Sequence, residues 1–214
     1  MKRINKIINN SDFSKNVFTL FTGQLVAQTI AFAVGFVITR LYSPEQLGLY
    51  ATFVAITTIL SIVATGRYDA AIVVEEDDKK ISALWLLSFL ISVGFNLTLL
   101  VVLYFFSDVI FSKFKIIELN KWAVFIPFAV FIGSIIKSTQ FYYNKYSSYK
   151  WIRNSDIIKS VANSTLSISL FKWLTGGLIF ANIIGSAVSL MYLFAKLPQD
   201  FWVKIKTIIS LPEL

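Results

Sequence analysis

The side chains with chemical capacity in this chain are mostly cations and amides set among apolar residues. Lys137 lies six positions before the close of an apolar stretch at Tyr143, roughly 9 Å of helical rise. Gly133, Lys137, Gln140 and Asn144 share one helical face. Gln24, Gln28, Ala31, Gly35 and Thr39 make a second small-and-polar stripe, and Asp156, Ser160, Asn163 and Ser167 a third. Ala181, Gly185 and Ser189 form a fourth, with Asn182 beside it. Arg40 and Arg67 stand at the ends of apolar stretches, and Lys159 lies one turn into another. Cations and amides in such surroundings suit a phosphate-bearing ligand, which Lys and Arg stabilise by charge and hydrogen bonds. Two readings of each stripe stay open. Small residues and amides pack helices together, or they line a wet cavity. Lys137 and Lys159 either snorkel to an interface on their aliphatic stems or, for Lys137 above all, face a cavity and attract an anion.

The absences narrow the chemistry. There is no His and no Cys, which removes disulfides, thiolate chemistry, imidazole acid–base catalysis and the usual zinc ligand sets. No P-loop or glycine-rich nucleotide fingerprint is present. The acids Glu75, Glu76, Asp77 and Asp78 are contiguous, without the alternating spacing and glycine turn of a calcium loop. They precede an apolar stretch and favour its helix N-terminus through the dipole. No carboxylate falls in the middle of an apolar stretch, Asp69 and Asp156 lying at edges. A pump for cations commonly needs one there. The expectation is a protein that binds and moves something, without a cofactor and without catalysis.

The elements that must position these groups are membrane helices. Hydrophobic residues make up 56% of the 214 residues and charged residues 15%, against roughly 45–50% and about 25% in soluble domains. Mean hydropathy is +0.69. A crossing helix needs about 20 mostly apolar residues, and the sequence predicts six at about 17–39, 44–65, 81–106, 122–143, 156–173 and 176–195. Ser43, Pro44 and Gln46 predict a capping box at the start of the second. The expected fold is an all-α integral membrane protein, a six-helix bundle over residues 17–195. Residues 1–16 form an N-terminal segment and 196–214 a tail that stops where a further helix is expected. The first stretch exceeds a signal-peptide core and a further span follows at once.

Net charge is +8, from 20 Lys and Arg against 12 Asp and Glu. Sorted by side, Lys2, Arg3, Lys6, Lys15, Arg67, Lys79, Lys80, Lys145, Lys150, Arg153, Lys196, Lys204 and Lys206 share the side of the N-terminus. Only Arg40, Lys113, Lys115, Lys121 and Lys172 lie opposite. Basic loops favour the cytoplasm, so both termini are expected there. The basic balance then needs no nucleic acid. Trp122, Trp151 and Trp173 fall near expected interfaces, where indoles anchor.

Two stretches carry a resemblance. Thr39-Arg40-Leu41-Tyr42-Ser43-Pro44-Glu45-Gln46-Leu47-Gly48 follows the first span, and Ala64-Thr65-Gly66-Arg67-Tyr68-Asp69-Ala70-Ala71-Ile72-Val73 follows the second. They resemble the T-R-x-Y-x-P-x-x-F-G and R-Y-[ED]-x-A-I patterns of O-antigen-type polysaccharide flippases, in the superfamily of multidrug, oligosaccharidyl-lipid and polysaccharide exporters. Leu47 stands where an aromatic is common. The resemblance implies one lobe of a two-lobed flippase of the bacterial cytoplasmic membrane. Such a protein moves an oligosaccharide on undecaprenyl pyrophosphate across the bilayer by alternating access. It implies a cationic cavity, with Arg40 and Arg67 at motif positions. Lys137, Gln24, Gln28, Gln140 and Asn163 are cavity candidates from periodicity alone. Family members usually have about twice as many spans, so the partner is either the missing C-terminal lobe or a second copy. Glycan polymerase machinery is a further expected partner. A cation-coupled multidrug extruder and a non-transporting scaffold for glycan-assembly enzymes are the alternatives.

Overall fold

The computed structural model describes residues 2–173 and 175–210, with side chains from Phe18 onward except Thr19, Leu20 and Thr175. The end of the expected tail, 211–214, lies outside them. The described residues are helical and include no strand. In chain order the α-helices are α1 (Lys2–Leu41), α2 (Pro44–Val63), α3 (Tyr68–Val74), α4 (Asp78–Lys113), α5 (Phe125–Lys145), α6 (Tyr149–Ser169), α7 (Thr175–Ala195) and α8 (Gln199–Ser210). Short 3-10 turns at Ile117–Trp122 and Phe171–Trp173 precede α5 and α7.

Five helices are long and apolar enough to cross a membrane: Phe21–Leu41 within α1, α2, α4, α5 and Gly176–Ala195 within α7. α6 is not among them, because Lys150, Arg153, Asp156, Lys159 and its serines dilute the apolar run. It is nevertheless packed between α1 and α7, its two main neighbours. α4 has 36 residues, about 54 Å of rise, and overshoots the roughly 30 Å hydrocarbon core. Its far end carries Asp108, which accepts a hydrogen bond from Asn120 of the 3-10 turn folded beside it.

The turn between α1 and α2 forms as its residues dictate. The Ser43 hydroxyl accepts from the Gln46 N–H at 3.4 Å, and Gln46 Oε1 accepts from the Ser43 N–H at 3.0 Å. Pro44 opens the helix where a missing N–H costs nothing. Buried Tyr42 donates its hydroxyl to the Ser167 carbonyl at 2.6 Å, pinning the turn to the end of α6.

Two apolar clusters divide the bundle. At the end nearer the start of α4, Trp85, Ile135, Tyr142, Tyr143, Leu193 and Phe201 pack together. At the opposite end Phe53, Leu103, Phe111, Leu119, Ile126 and Ile179 do so. Small polar residues sew the helices between them. Ser92 and Ser134 share a 2.7 Å bond between α4 and α5, and Trp85 Nε1 donates to Thr139 Oγ1 at 3.3 Å. Ser189 donates to the Ser155 carbonyl at 3.0 Å between α7 and α6. A Cβ on Gly185 would lie 3.0 Å from the Asn163 backbone nitrogen, and one on Gly177 2.2 Å from the Leu170 carbonyl oxygen. The stripe of Ala181, Gly185 and Ser189 thus packs helices, as small residues do in membranes.

Candidate functional site

The second of the two quoted stretches builds a pocket rather than a simple turn. Gly66 and Arg67 both adopt left-handed conformations, φ 60° and 64°. For Arg67 this costs about 1–2 kcal/mol, strain of the kind found where a fold fixes a functional geometry. The reversal starts α3 at Tyr68 and turns Asp69 inward, where it is 2% exposed. Asp69 Oδ1 accepts from the Ala70 N–H at 3.0 Å. The other end of α3 is held by Lys145, whose Nζ donates to the Val73 carbonyl at 3.3 Å.

Opposite α3, the polar face of α5 supplies Lys137, Gln140 and Asn144. Together with Ile62, Arg67, Asp69 and Phe141 they line a cavity of about 310 Å³. Lys137 is half-buried. The charges acting on it are Asp69, which attracts, and Lys159 and Arg67, which repel. Gln140 Nε2 donates to Asp156 Oδ1 at 3.1 Å, joining α5 to α6. Asp156 and Lys159 lie one turn apart on that helix and attract each other. Three cations and two carboxylates therefore share this region, a net charge of +1 beside amide donors. Such a set can hold an anion without leaving a bare cluster of like charges in apolar surroundings.

The structure brings Arg67, Lys137 and Gln140 into one cavity and leaves four other candidates elsewhere. Gln24 and Gln28 are exposed on α1. Arg40 is exposed in the last turn of α1, at the opposite end of the bundle. Asn163 faces a separate trio, where the Tyr50 hydroxyl accepts from Asn182 Nδ2 at 3.3 Å with Asn163 beside it. Asn163 Oδ1 is buried without a hydrogen-bond partner.

Asp69 is the residue that the sequence reading missed as part of the site. It does lie at the edge of a span, in α3, and it is also buried against the cavity. The motif pattern marks an acid at this position, and that was the available signal. Among the described residues no group of three His, Cys, Asp or Glu could hold a metal ion.

No curated protein and no solved structure matches the chain. A family model does, that of the polysaccharide biosynthesis proteins, over residues 13–211. That span takes in both quoted stretches and every helix that lines the cavity. With several apolar helices of membrane-crossing length and a match over nearly its whole length, the chain belongs to the polysaccharide biosynthesis protein family.

Proposed function

We propose that this chain is one lobe of a flippase, a transporter and not a catalyst. Its substrate is an oligosaccharide unit carried on undecaprenyl pyrophosphate, moved across the bacterial cytoplasmic membrane by alternating access. The observation that carries the reading is the pocket in which Arg67, Lys137, Gln140 and Asn144 meet around Asp69. A pyrophosphate would bind there by charge and hydrogen bonds. α6 counts as a sixth span, with Ser155, Asp156, Ser160, Ser164 and Ser167 turned to its neighbours and to the cavity rather than to lipid. Both termini lie in the cytoplasm, which puts the pocket in the cytoplasmic half, where the substrate is assembled. A single bundle cannot enclose a path between leaflets, so a C-terminal lobe or a second copy completes the machine. Glycan polymerase is a partner of the finished transporter.

The test is complementation. The complete transporter carrying this lobe restores surface glycan to a flippase-deficient cell, and removal of charge at Arg67 and Lys137 in a folded variant abolishes it. Unchanged transport in that variant would remove the cavity from the mechanism. A second reading, a cation-coupled extruder, draws on buried Asp69. Export of cationic drugs with no movement of lipid-linked glycan would establish it. Binding of glycan-assembly enzymes without any transport would favour the scaffold.

A further inference from the structure

A second polar site lies where the start of α6, the end of α7 and α8 meet. Trp151 sits in the first turn of α6, and two ammonium groups approach its ring. Lys150 Nζ is 4.6 Å from the ring centroid and Lys196 Nζ 5.3 Å. Each contact is a cation–π attraction, yet two like charges gathered at one indole repel each other. Neither lysine has a carboxylate partner, since the ion pair found among the described residues joins Lys204 and Asp78 at 2.9 Å. Beside this ring is a cavity of about 370 Å³ lined by Ser148, Tyr143, Lys196, Asp200 and Phe201 among others. Asp78, at its rim, is already engaged by Lys204 and by the Tyr146 hydroxyl at 2.6 Å. That leaves Lys150 and Lys196 against Asp200, a net positive charge.

α8 supplies the second observation. It buries Phe201 and Ile205 against the bundle, while Trp202, Val203 and Ile209 remain exposed at 37%, 61% and 67%. The Trp202 ring stands edge-on to Phe194 of α7 at 5.9 Å, and Lys206 flanks the exposed apolar strip. A helix that presents Trp and Ile beside Lys, lying across the ends of membrane helices, has the make-up of one that rests in the headgroup region.

We infer that this corner binds the headgroup of an anionic phospholipid. Its phosphodiester lies between Lys150 and Lys196, and its glycerol and upper acyl chains run along Trp151, Trp202 and Ile209. The phosphate relieves the repulsion between the two ammoniums. In the orientation proposed above, the corner faces the cytoplasmic leaflet, where anionic headgroups attract basic groups at the surface. The leaflet assignment rests on the orientation proposed above, whereas the lipid chemistry does not.

The experiment is lipid binding by the purified full chain in detergent, read by native mass spectrometry with phosphatidylglycerol or phosphatidylcholine added. Phosphatidylglycerol is retained over phosphatidylcholine by about tenfold, which one or two such charge contacts supply. Lys150→Gln with Lys196→Gln brings the ratio near parity, Lys150→Arg with Lys196→Arg keeps it, and Lys113→Gln with Lys115→Gln leaves it unchanged. No preference in the wild type overturns the site, as does an equal loss in the Lys113/Lys115 control. Circular dichroism confirms that each variant is helical. Orientation is read separately, by labelling Glu76→Cys in cells with an impermeant maleimide. Labelling from outside would overturn the leaflet assignment while the detergent result judged the site.

Discussion

α1 and α5 look alike in sequence, each an apolar helix with a stripe of small residues and amides, but the bundle treats them oppositely. The apolar window of α5 is 50% buried and that of α1 only 11%. On α5 several polar groups bond to neighbouring helices. Ser134 meets Ser92, Thr139 meets Trp85, Gln140 meets Asp156, and Tyr143 donates to the Leu193 carbonyl at 2.8 Å. α1 is held through α6 by close approach, with Gly23 under Arg153 and the Ser160 hydroxyl on the Ala27 carbonyl at 2.8 Å. Its Gln24 and Gln28 point away from that contact and are exposed. The same stripe therefore means packing and a cavity wall on α5, and an open polar face on α1. In lipid such a face favours water or a partner bundle. The difference fits the lobe proposed above, with α5 as its interior wall and α1 bordering a larger cavity.

The strongest way to break this contrast is at the α5 pocket. Lys137→Gln lowers transport at least tenfold in a complementation assay, about 1.4 kcal/mol or more of lost interaction, and lowers thermal stability, because buried Asp69 loses an attracting charge. Asp69→Asn lowers stability likewise, since it leaves Lys137 without its attracting charge. Adding Lys137→Gln to it recovers stability, a coupling readable in a double-mutant cycle of thermal unfolding in detergent.

Next in size are the seams that hold α6. Gly177→Ala must move the Leu170 carbonyl and costs about 1–3 kcal/mol, as overpacked sites do. Tyr42→Phe leaves the Ser167 carbonyl without its donor and costs about 1–3 kcal/mol. Both losses appear as a lower melting temperature. The smallest effect on stability comes from Gln24→Leu with Gln28→Leu, because neither amide is buried. The chain unfolds at an unchanged temperature, yet transport by the proposed assembly falls. A large loss of stability there would erase the distinction between the two helices.

The bond network just past the end of α5 is insensitive to pH near neutrality. Burial, and then its bond to the Asp78 carboxylate, hold the Tyr146 phenol above its ordinary value. Stability from that shift is complete below a pH of about 10 and is lost only as pH climbs past the raised value. Tyr146→Phe should therefore remove the same small increment of stability at pH 6 and pH 8.

What the sequence reveals, it reveals where the cause is local. The Ser43–Gln46 box, Pro44 and the long charge-free run of α4 depend on a few adjacent residues, and each forms as expected. Arg40 and Arg67 fall at opposite ends of the bundle, as alternate span ends require. Asp69 was hidden because its burial depends on the left-handed pair Gly66-Arg67 folding a seven-residue helix onto α5. α6 is hard to read because its serines and charges make sense only against α1 and α7. α8 went unread within the tail because its apolar residues face two surroundings, the bundle and the exposed side. Asn163 shares a stripe with Asp156 yet faces Tyr50, since one helix face spans more than one pocket.

On the proposed function, the pocket of Arg67, Asp69, Lys137, Gln140 and Asn144 receives the pyrophosphate. The chain has no cysteine, so Asn144→Cys gives a single reporter at its edge. Purified protein is treated with a charged thiol reagent, with and without undecaprenyl pyrophosphate. The introduced thiol is expected to react and the lipid to slow the reaction, with protection lost when Lys137→Gln is added. Labelling that the lipid leaves unchanged, in protein that still binds it, would contradict the claim.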